Sequence, residues 1–367
     1  MASEQPVSAT PNTDADLAGH RAAIDALDHE ILERLNRRAR HAQAIGKLKG
    51  GGVIYRPERE AQVLRRLQDA NTGPLPQEAV AGVFRQVMSA CLALEQPLRI
   101  AYLGPPGTFS HAAVAKHFGG SVDAEPYATI DEVFRAAEGG QTEYAVVPVE
   151  NSTEGAVGRT LDLMCHTPLK ICGEVRLRIR QNLLAVGGTL ADVKKVYSHA
   201  QSLAQCVQWL AHHLPGVPHV AVASNAEAAR LAAGEPGSAA IAGEIAAAIY
   251  GLDVLAQHIE DEPNNTTRFW VLGNQSVPAS GKDETSLVMS APNQPGAVYA
   301  LLKPLAEHGV SMSRFESRPA RTGLWEYVFF IDLEGHATDP EVAAALDGLR
   351  GIAPYLKVLG SYPAAVY

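Results

Sequence analysis

The chain has 367 residues, and at roughly 100–200 residues per domain it is too long for one core, so about two to four domains are expected. Hydrophobic residues make up 46% and charged residues 19%, a balance that excludes a wholly disordered chain. With 31 Lys and Arg against 40 Asp and Glu, the net charge of -9 leaves no global basic field to gather nucleic acid or an anionic membrane, so an anionic ligand has to be met by local cations. Residues 1–96 carry 12 basic and 12 acidic side chains against 19 and 28 in the remainder, which points to an anion site near the N-terminus. The four cysteines, Cys91, Cys165, Cys172 and Cys206, form no C-x-x-C pair; so few would stabilise a secreted protein of this size little, and a reducing cytoplasm fits best. Residues 1–13 are polar, contain proline and lack an apolar core, which predicts a disordered tail, with neither a signal peptide nor a membrane span expected.

From Asp14 to Lys49 apolar residues recur at Leu17, Ile24, Leu27, Ile31, Leu35, Ala42, Ile45 and Leu48, mostly three or four apart, which predicts one long amphipathic helix. At about 1.5 Å per residue it would run about 50 Å, so other helices must lie along it. Gly50–Gly52 stop it, Pro57 opens a second helix that ends at Asn71-Thr72-Gly73-Pro74, and a third runs from Pro76 to Gln96, ahead of Pro97. An all-α unit is therefore expected over 14–96. Short apolar runs between helical stretches follow, at Arg99–Leu103, Tyr144–Val149, Asn182–Val186, Lys195–Tyr197, His219–Ala223 and Ala239–Ala242. They predict an α/β unit over 98–274, with a predominantly parallel sheet and two lobes around a cleft. A polar stretch at 275–283 reads as a linker. From 284 to 365 the order is strand (Thr285–Ser290), helix (Pro295–His308), strand (Val310–Ser317), strand (Trp325–Leu333), helix (Pro340–Arg350), strand (Leu356–Tyr362), an α+β ferredoxin-like βαββαβ unit.

Arg38 and Lys49 stand 11 residues apart, which at about 100° per residue brings them to one helix face within about 20°. On spacing alone, a solvated charged face accounts for them. In combination, L-x-x-x-R-x-x-I-x-x-L-D (Leu17, Arg21, Ile24, Leu27, Asp28), Arg37-Arg38, G-K-x-K (Gly46, Lys47, Lys49) and P-x-R-E (Pro57, Arg59, Glu60) resemble the all-helical chorismate mutase domain. That reaction is a unimolecular rearrangement of a dicarboxylate; it needs cations for two carboxylates and a donor for the breaking ether oxygen, with no nucleophile, metal or cofactor. The resemblance implies Arg38 and Arg21 as carboxylate clamps, Lys49 on the ether oxygen, and Glu60 on a substrate hydroxyl. Arg59 is placed either at the site or in a surface ion pair. Arg21 and Arg38 are about 26 Å apart along one straight helix and about 100° apart in direction, too far for one small ligand. A homodimer or higher assembly, with Arg21 supplied across the interface, is therefore expected. The chain departs from the family pattern at Arg56, where an acid is more usual, and at Cys91 and Glu95, where Ser and Gln are common. Beside the ether oxygen, Glu95 would have to keep its proton in order to donate, which burial favours. A weak or relic mutase site, or a plain helix-end acid, are the other readings.

Gly104-Pro105-Pro106-Gly107-Thr108-Phe109-Ser110 follows a strand and opens a helix, presenting backbone N–H groups and two hydroxyls where an anion could bind. It has neither G-x-G-x-x-G nor a Walker lysine, which disfavours a nucleotide, and by composition alone it is no more than a tight turn. Val149-Glu150-Asn151-Ser152, Ser198-His199-Ala200-Gln201 and Asn264-Asn265-Thr266-Thr267-Arg268-Phe269 add polar loops at strand ends, as a cleft for a small anion requires. The four motifs together resemble prephenate dehydratase, with Ala200 where Pro is usual. The resemblance implies a periplasmic-binding-protein-like pair of lobes with the site between them and Thr267 at the leaving hydroxyl. Arg268 is either a carboxylate partner or, in a strand, a structural ion pair. Thr108, Ser110, Glu150, Asn151, Ser152, Ser198 and Gln201 are further substrate contacts, and His199 is open between a structural hydrogen bond and a site role.

Pro295-Gly296-Ala297-Val298 and Glu316-Ser317-Arg318-Pro319, set in the βαββαβ order, resemble the ACT regulatory domain. This implies that Gly296, Ala297, Glu316, Ser317 and Arg318 bind phenylalanine at an interface between domains; without the resemblance, Glu316 and Arg318 read as a local ion pair. The expected activity is bifunctional, taking chorismate to prephenate and prephenate to phenylpyruvate, with phenylalanine as inhibitor. A non-catalytic amino-acid sensor is the reading from another class, and the intact Thr267-Arg268-Phe269 cluster argues against it.

Overall fold

The computed structural model describes residues 13–49, 55–292, 294–320 and 327–366. The N-terminal unit consists of α1 (Thr13–Lys49), α2 (Pro57–Ala70) and α3 (Gln77–Ala93). Pro57 pre-sets the first turn of α2, where Glu58 and Glu60 complement the helix dipole. Asn71 closes the turn beyond it, its side chain donating to Leu75 O at 2.8 Å and accepting from Gly73 N at 3.2 Å. Ala61 and Leu64 of α2 are buried together with Val80 and Ala81 of α3. On α1 only Leu35, Arg38, Ala39, Ala42 and Gly46 are partly covered among the described side chains, and Leu17, Ile24, Leu27 and Ile31 are about half exposed. The helix expected to need a bundle thus carries an apolar stripe that the described residues leave exposed. Apart from Thr13, which begins α1, the expected tail lies outside the described residues, as do Gly50–Gly52.

Next come β1 (Arg99–Leu103), α4 (Phe109–Phe118), β2 (Asp123–Tyr127), α5 (Ile130–Glu138), β3 (Tyr144–Asn151), β4 (Gly155–Ala156), α6 (Gly158–Met164) and β5 (Lys170–Arg178). The chain then crosses to β6 (Asn182–Ala185), β7 (Lys195–His199), α7 (Ala200–Ala204), α8 (Val207–His213), β8 (His219–Val222), α9 (Asn225–Gly234), β9 (Ser238–Ala242), α10 (Glu244–Tyr250) and β10 (Asp253–Ala256), and returns through β11 (Thr266–Gly273). One lobe holds the sheet β2-β1-β3-β11-β5, with β4 beside β3, and the other holds β10-β6-β9-β7-β8. The sheets are mixed, where a predominantly parallel one was expected. β1 pairs in parallel with β2 and β3, but β11 runs antiparallel to both β3 and β5. In the first lobe this follows from the return of the chain, since β11 begins beside the ends of β3 and β5 and so runs back against both.

The C-terminal unit is β12 (Asp283–Ser290), α11 (Ala297–Glu307), β13 (Met312–Pro319), β14 (Tyr327–Glu334), α12 (Pro340–Arg350) and β15 (Leu356–Pro363), with antiparallel order β13-β14-β12-β15; Trp325 of the expected strand lies outside the described residues. One sheet face packs on its helices through Leu287, Leu301, Ile331 and Leu346. The other joins the first α/β lobe: Val288, Phe330, Leu359 and Tyr362 share a core with Leu161, Met164, Ile171 and Trp270. At the opposite side of the same lobe, Tyr55 and Leu98 join Phe118 and Tyr144. The stretch expected as a linker is packed in place. Val277, Ser280 and Asp283 are buried, and Arg65 of α2 donates to Ser280 Oγ at 3.0 Å and Lys282 O at 2.7 Å.

Candidate active and effector sites

A cavity of about 390 Å³ opens among α1, α2 and α3, lined by Arg38, Arg56, Arg59, Glu60, Arg66, Cys91 and Glu95, with Phe118 of the α/β lobe as part of its wall. Cations dominate it, as a dicarboxylate requires. Arg66 was missed in the sequence, although seven residues after Arg59 it falls on the same face of α2. Burial raises the carboxyl of Glu60 from 4.5 to about 7, against the opposing pull of Arg85, whose Nε lies 3.6 Å from Glu60 Oε1. Glu95 is held against α1, where a Cβ on Gly46 would fall 2.8 Å from Glu95 Oε2. That oxygen is buried with no hydrogen-bond partner among the described residues. Arg56 pairs with Glu58 at 3.5 Å. Arg21 is exposed on α1 and takes no part in this cavity, and the side chain of Lys49 lies outside the described residues.

The second site forms where β3 ends and β11 begins, beside the crossings between lobes. Thr267 and Asn151 are cross-strand partners. Asn151 Oδ1 accepts from the backbone N–H groups of Thr153 (3.0 Å) and Glu154 (3.1 Å), which orients the amide, so that Nδ2 donates to Thr267 Oγ1 and to Asn265 Oδ1, each at 2.8 Å. A hydroxyl that receives a hydrogen bond on its oxygen keeps its own proton for another acceptor. Asn265 was not singled out in the sequence; its Nδ2 is buried without a partner among the described residues. Ser152 Oγ accepts from Thr266 N at 3.0 Å.

The other motif residues are placed differently. Thr108 caps α4, accepting from His111 N at 3.4 Å and donating to Leu103 O at 3.0 Å, and Ser110 is buried in the first turn. Ser198 donates to Ile241 O at 2.8 Å within a buried network with Asn225 and Ser202. His199 caps α7 by accepting from Gln201 N at 3.4 Å. Glu150 and Arg268 alternate with Asn151 and Thr267 and so face the opposite side of the sheet. Arg268, expected as a possible carboxylate partner, is engaged by Glu174 and Asp332, each at 2.5 Å, and by Tyr362 OH at 3.1 Å. Burial disfavours its charge, but Tyr362, Asp332 and Glu174 outweigh that and hold the guanidinium well above its ordinary value. Glu150 meets Arg314 of β13 at 2.8 Å.

A second cavity, of about 750 Å³, is lined by Gly296, Ala297, Val298, Tyr299, Tyr327 and Phe329, with Cys165 and His166 beyond the end of α6. Gly296 stands at φ 79° ahead of α11, a conformation that glycine adopts without strain. Glu316, Ser317 and Arg318 are not among its lining residues. Arg318 reaches Asp162 of α6 at 3.0 Å, so its pairing is between domains and not local.

The sequence pattern of the type II chorismate mutases matches residues 20–96, that of prephenate dehydratase residues 100–277, and that of the ACT domain residues 285–351. The bifunctional chorismate mutase/prephenate dehydratase of Neisseria gonorrhoeae is 58% identical over 353 residues, covering 95% of this chain and 98% of that protein. A prephenate dehydratase structure from Arthrobacter aurescens, in complex with L-Phe, superposes with a TM-score of 0.67 at 37% identity, over 73% of this chain and 90% of that one. A structure described as a quorum quenching acylase, GqqA, reaches 0.68 at 33% identity over 73% of this chain and 98% of that one; neither superposition spans all three units. With the three sequence patterns in chain order and a bifunctional relative 58% identical over 95% of this chain, the chain belongs to the family of bifunctional chorismate mutase/prephenate dehydratases.

Proposed function

We propose that the two activities of this enzyme divide between the helical cavity and the Asn151–Thr267 site as follows. In the helical cavity Arg38 holds one carboxylate of chorismate, Arg21 of a second copy holds the other, Lys49 and Glu95 face the ether oxygen, and Glu60 takes the ring hydroxyl; Arg59 and Arg66 add positive field. The uncovered apolar stripe of α1 and the absence of Arg21 from its own chain's cavity support a homodimer built on that helix. Between the lobes, prephenate loses its carboxylate as CO2. The electrons of the broken C–C bond move into the ring, and the ring hydroxyl departs with a proton as water. Thr267 directs its hydroxyl proton at that leaving group, and Asn151 holds Thr267 in place. The Asn151–Thr267 hydrogen bond of 2.8 Å carries this assignment. The cavity before α11 takes phenylalanine, the amino acid that phenylpyruvate yields on transamination, and its occupancy lowers dehydratase turnover through a two-state shift. A chorismate-fed assay that follows prephenate and phenylpyruvate, with and without phenylalanine, tests the scheme. Both products should form, and phenylalanine should suppress phenylpyruvate. Phenylpyruvate formation indifferent to phenylalanine would remove the regulatory role.

A further inference from the structure

The sheet of the first lobe carries two chemistries on its two faces. Asn151 and Thr267 pair across β3 and β11 on one face, and their neighbours Glu150 and Arg268 pair on the other, which lies against the ACT sheet. Each member of this second pair is met there by the opposite charge. Arg268 meets Asp332 at 2.5 Å, and Glu150 meets Nε of Arg314 at 2.8 Å. Arg314 is 9% exposed. Its Nη1 and Nη2 are buried with no hydrogen-bond partner among the described residues, and its Nε contact is an ion pair outside hydrogen-bond alignment. Burying guanidinium nitrogens without acceptors is costly, so the Glu150 carboxylate is the group that offsets the burial. Four residues further along the same face of β13, Arg318 meets Asp162 at 3.0 Å. In the sequence, between Glu150 and Asp162, lies the segment whose backbone N–H groups, at Thr153 and Glu154, orient the amide of Asn151.

We infer that Arg314, a residue of the regulatory domain, is a positioning residue for the dehydration. By gripping Glu150 it fixes the end of β3 so that Asn151 Nδ2 remains in line with Thr267 Oγ1. The inference rests on the assignment of Thr267 to the dehydratase site. It also gives the regulation a physical route. Val328 and Tyr327, in the wall of the effector cavity, are the register partners of Arg318 and Pro319 on β13. A ligand that shifts β14 therefore moves β13, and with it the grip on Glu150.

The test uses the full-length enzyme, with mutase turnover on chorismate as an internal control of folding. Arg314→Ala should lower dehydratase kcat about ten- to a hundred-fold, the scale of a small misplacement at a reacting centre, with the KM for prephenate changed less than about two-fold. Arg314→Lys, which keeps the charge, should recover part of the loss, and Arg314→Gln should not. Combining Arg314→Ala with Glu150→Gln should cost no more than the worse single change. In a Thr267→Ala background, Arg314→Ala should cost nothing further. An unchanged kcat, additive losses in the double variant, or a further loss in the Thr267→Ala background would each overturn the proposal. If Arg314→Ala loses mutase activity as well, the contrast between Lys and Gln decides alone. A Thr267→Ala enzyme with normal dehydratase turnover would sink the site assignment itself, whereas an inactive one beside a normal Arg314→Ala enzyme would sink only this inference.

Discussion

At the scale of single residues, the proposed dehydration rests on one hydroxyl. Thr267→Ala removes the proposed proton donor while leaving the helical unit untouched, so dehydratase turnover should fall by about 10² to 10⁴, the range typical for a positioned acid, with mutase turnover retained. Phenylpyruvate formed from prephenate at the normal rate would remove Thr267 from the chemistry. Glu60 makes a prediction about stability. Its carboxyl rises from 4.5 to about 7 on folding, chiefly through burial. Across that window the folded chain keeps a proton that the unfolded chain has released, so the contribution of Glu60 to stability falls as pH rises through it. Relative to Glu60→Gln, the native protein should therefore lose stability between about pH 5 and about pH 8, read from denaturant midpoints. The same difference at both pH values would show that Glu60 does not hold this proton.

Among elements, the contact between β15 and β5 ties the regulatory sheet to the first lobe. A Cβ on Gly360 would fall 2.3 Å from Ile171 O and 2.8 Å from Ile171 N. Both are backbone atoms within strands and have little room to yield. Gly360→Ala should cost about 1–3 kcal/mol, the usual scale of overpacking, seen as a lower melting temperature of the dehydratase and ACT units. An unaltered melting profile would mean that the two strands can separate freely. The cluster around Arg268 makes a stronger claim. Removing this cation strips buried Asp332 of its guanidinium partner and leaves Glu174 and Glu284 to Arg176, and breaking a buried pair in this way costs about 3–5 kcal/mol. Arg268→Ala should thus unfold these units at markedly lower denaturant. If it were as stable as the native chain and weakened only prephenate binding, Arg268 would belong in the cleft.

For the whole molecule, the question is what covers α1. If a second copy does, each mutase site takes Arg38 from one chain and Arg21 from the other, and Arg21→Ala or Arg38→Ala homodimers should each be nearly inactive as mutases. In a mixed dimer one site inherits both defects and the other neither. Co-expressed at equal levels and pairing at random, the two variants should restore about a quarter of native mutase activity by symmetry. Absence of recovery, with mixed dimers demonstrated, would refute the shared site. The cores shared between units give the molecule its second property. The first α/β lobe is wedged between the helical unit and the ACT sheet, and under the proposed regulation a displacement of that sheet would reach β3 and β11 through these cores.

What was legible in the sequence was local. Helix starts at Pro57, the turn at Asn71, the strand ends that carry Asn151 and Thr267, and the βαββαβ order all follow from residues within a few positions of one another, because capping, turn geometry and the periods of 3.6 and 2 act over that range. The alternation of Glu150 with Asn151 and of Arg268 with Thr267 was equally readable as parity. Which parity faces the cleft was not, since it depends on which unit packs on the back of the sheet. For the same reason Arg314 gave no signal: it lies 164 positions beyond Glu150 in the sequence, and only the docking of β13 brings the two within 2.8 Å. Asn265, though within the Asn264–Phe269 motif, meets Asn151 across 114 positions, a contact that only the pairing of β3 with β11 sets. The sequence determined which local pieces form. The tertiary structure decided which charges are buried against which, because that pairing is set by long-range packing of apolar faces and by the cost of leaving a buried charge without a partner.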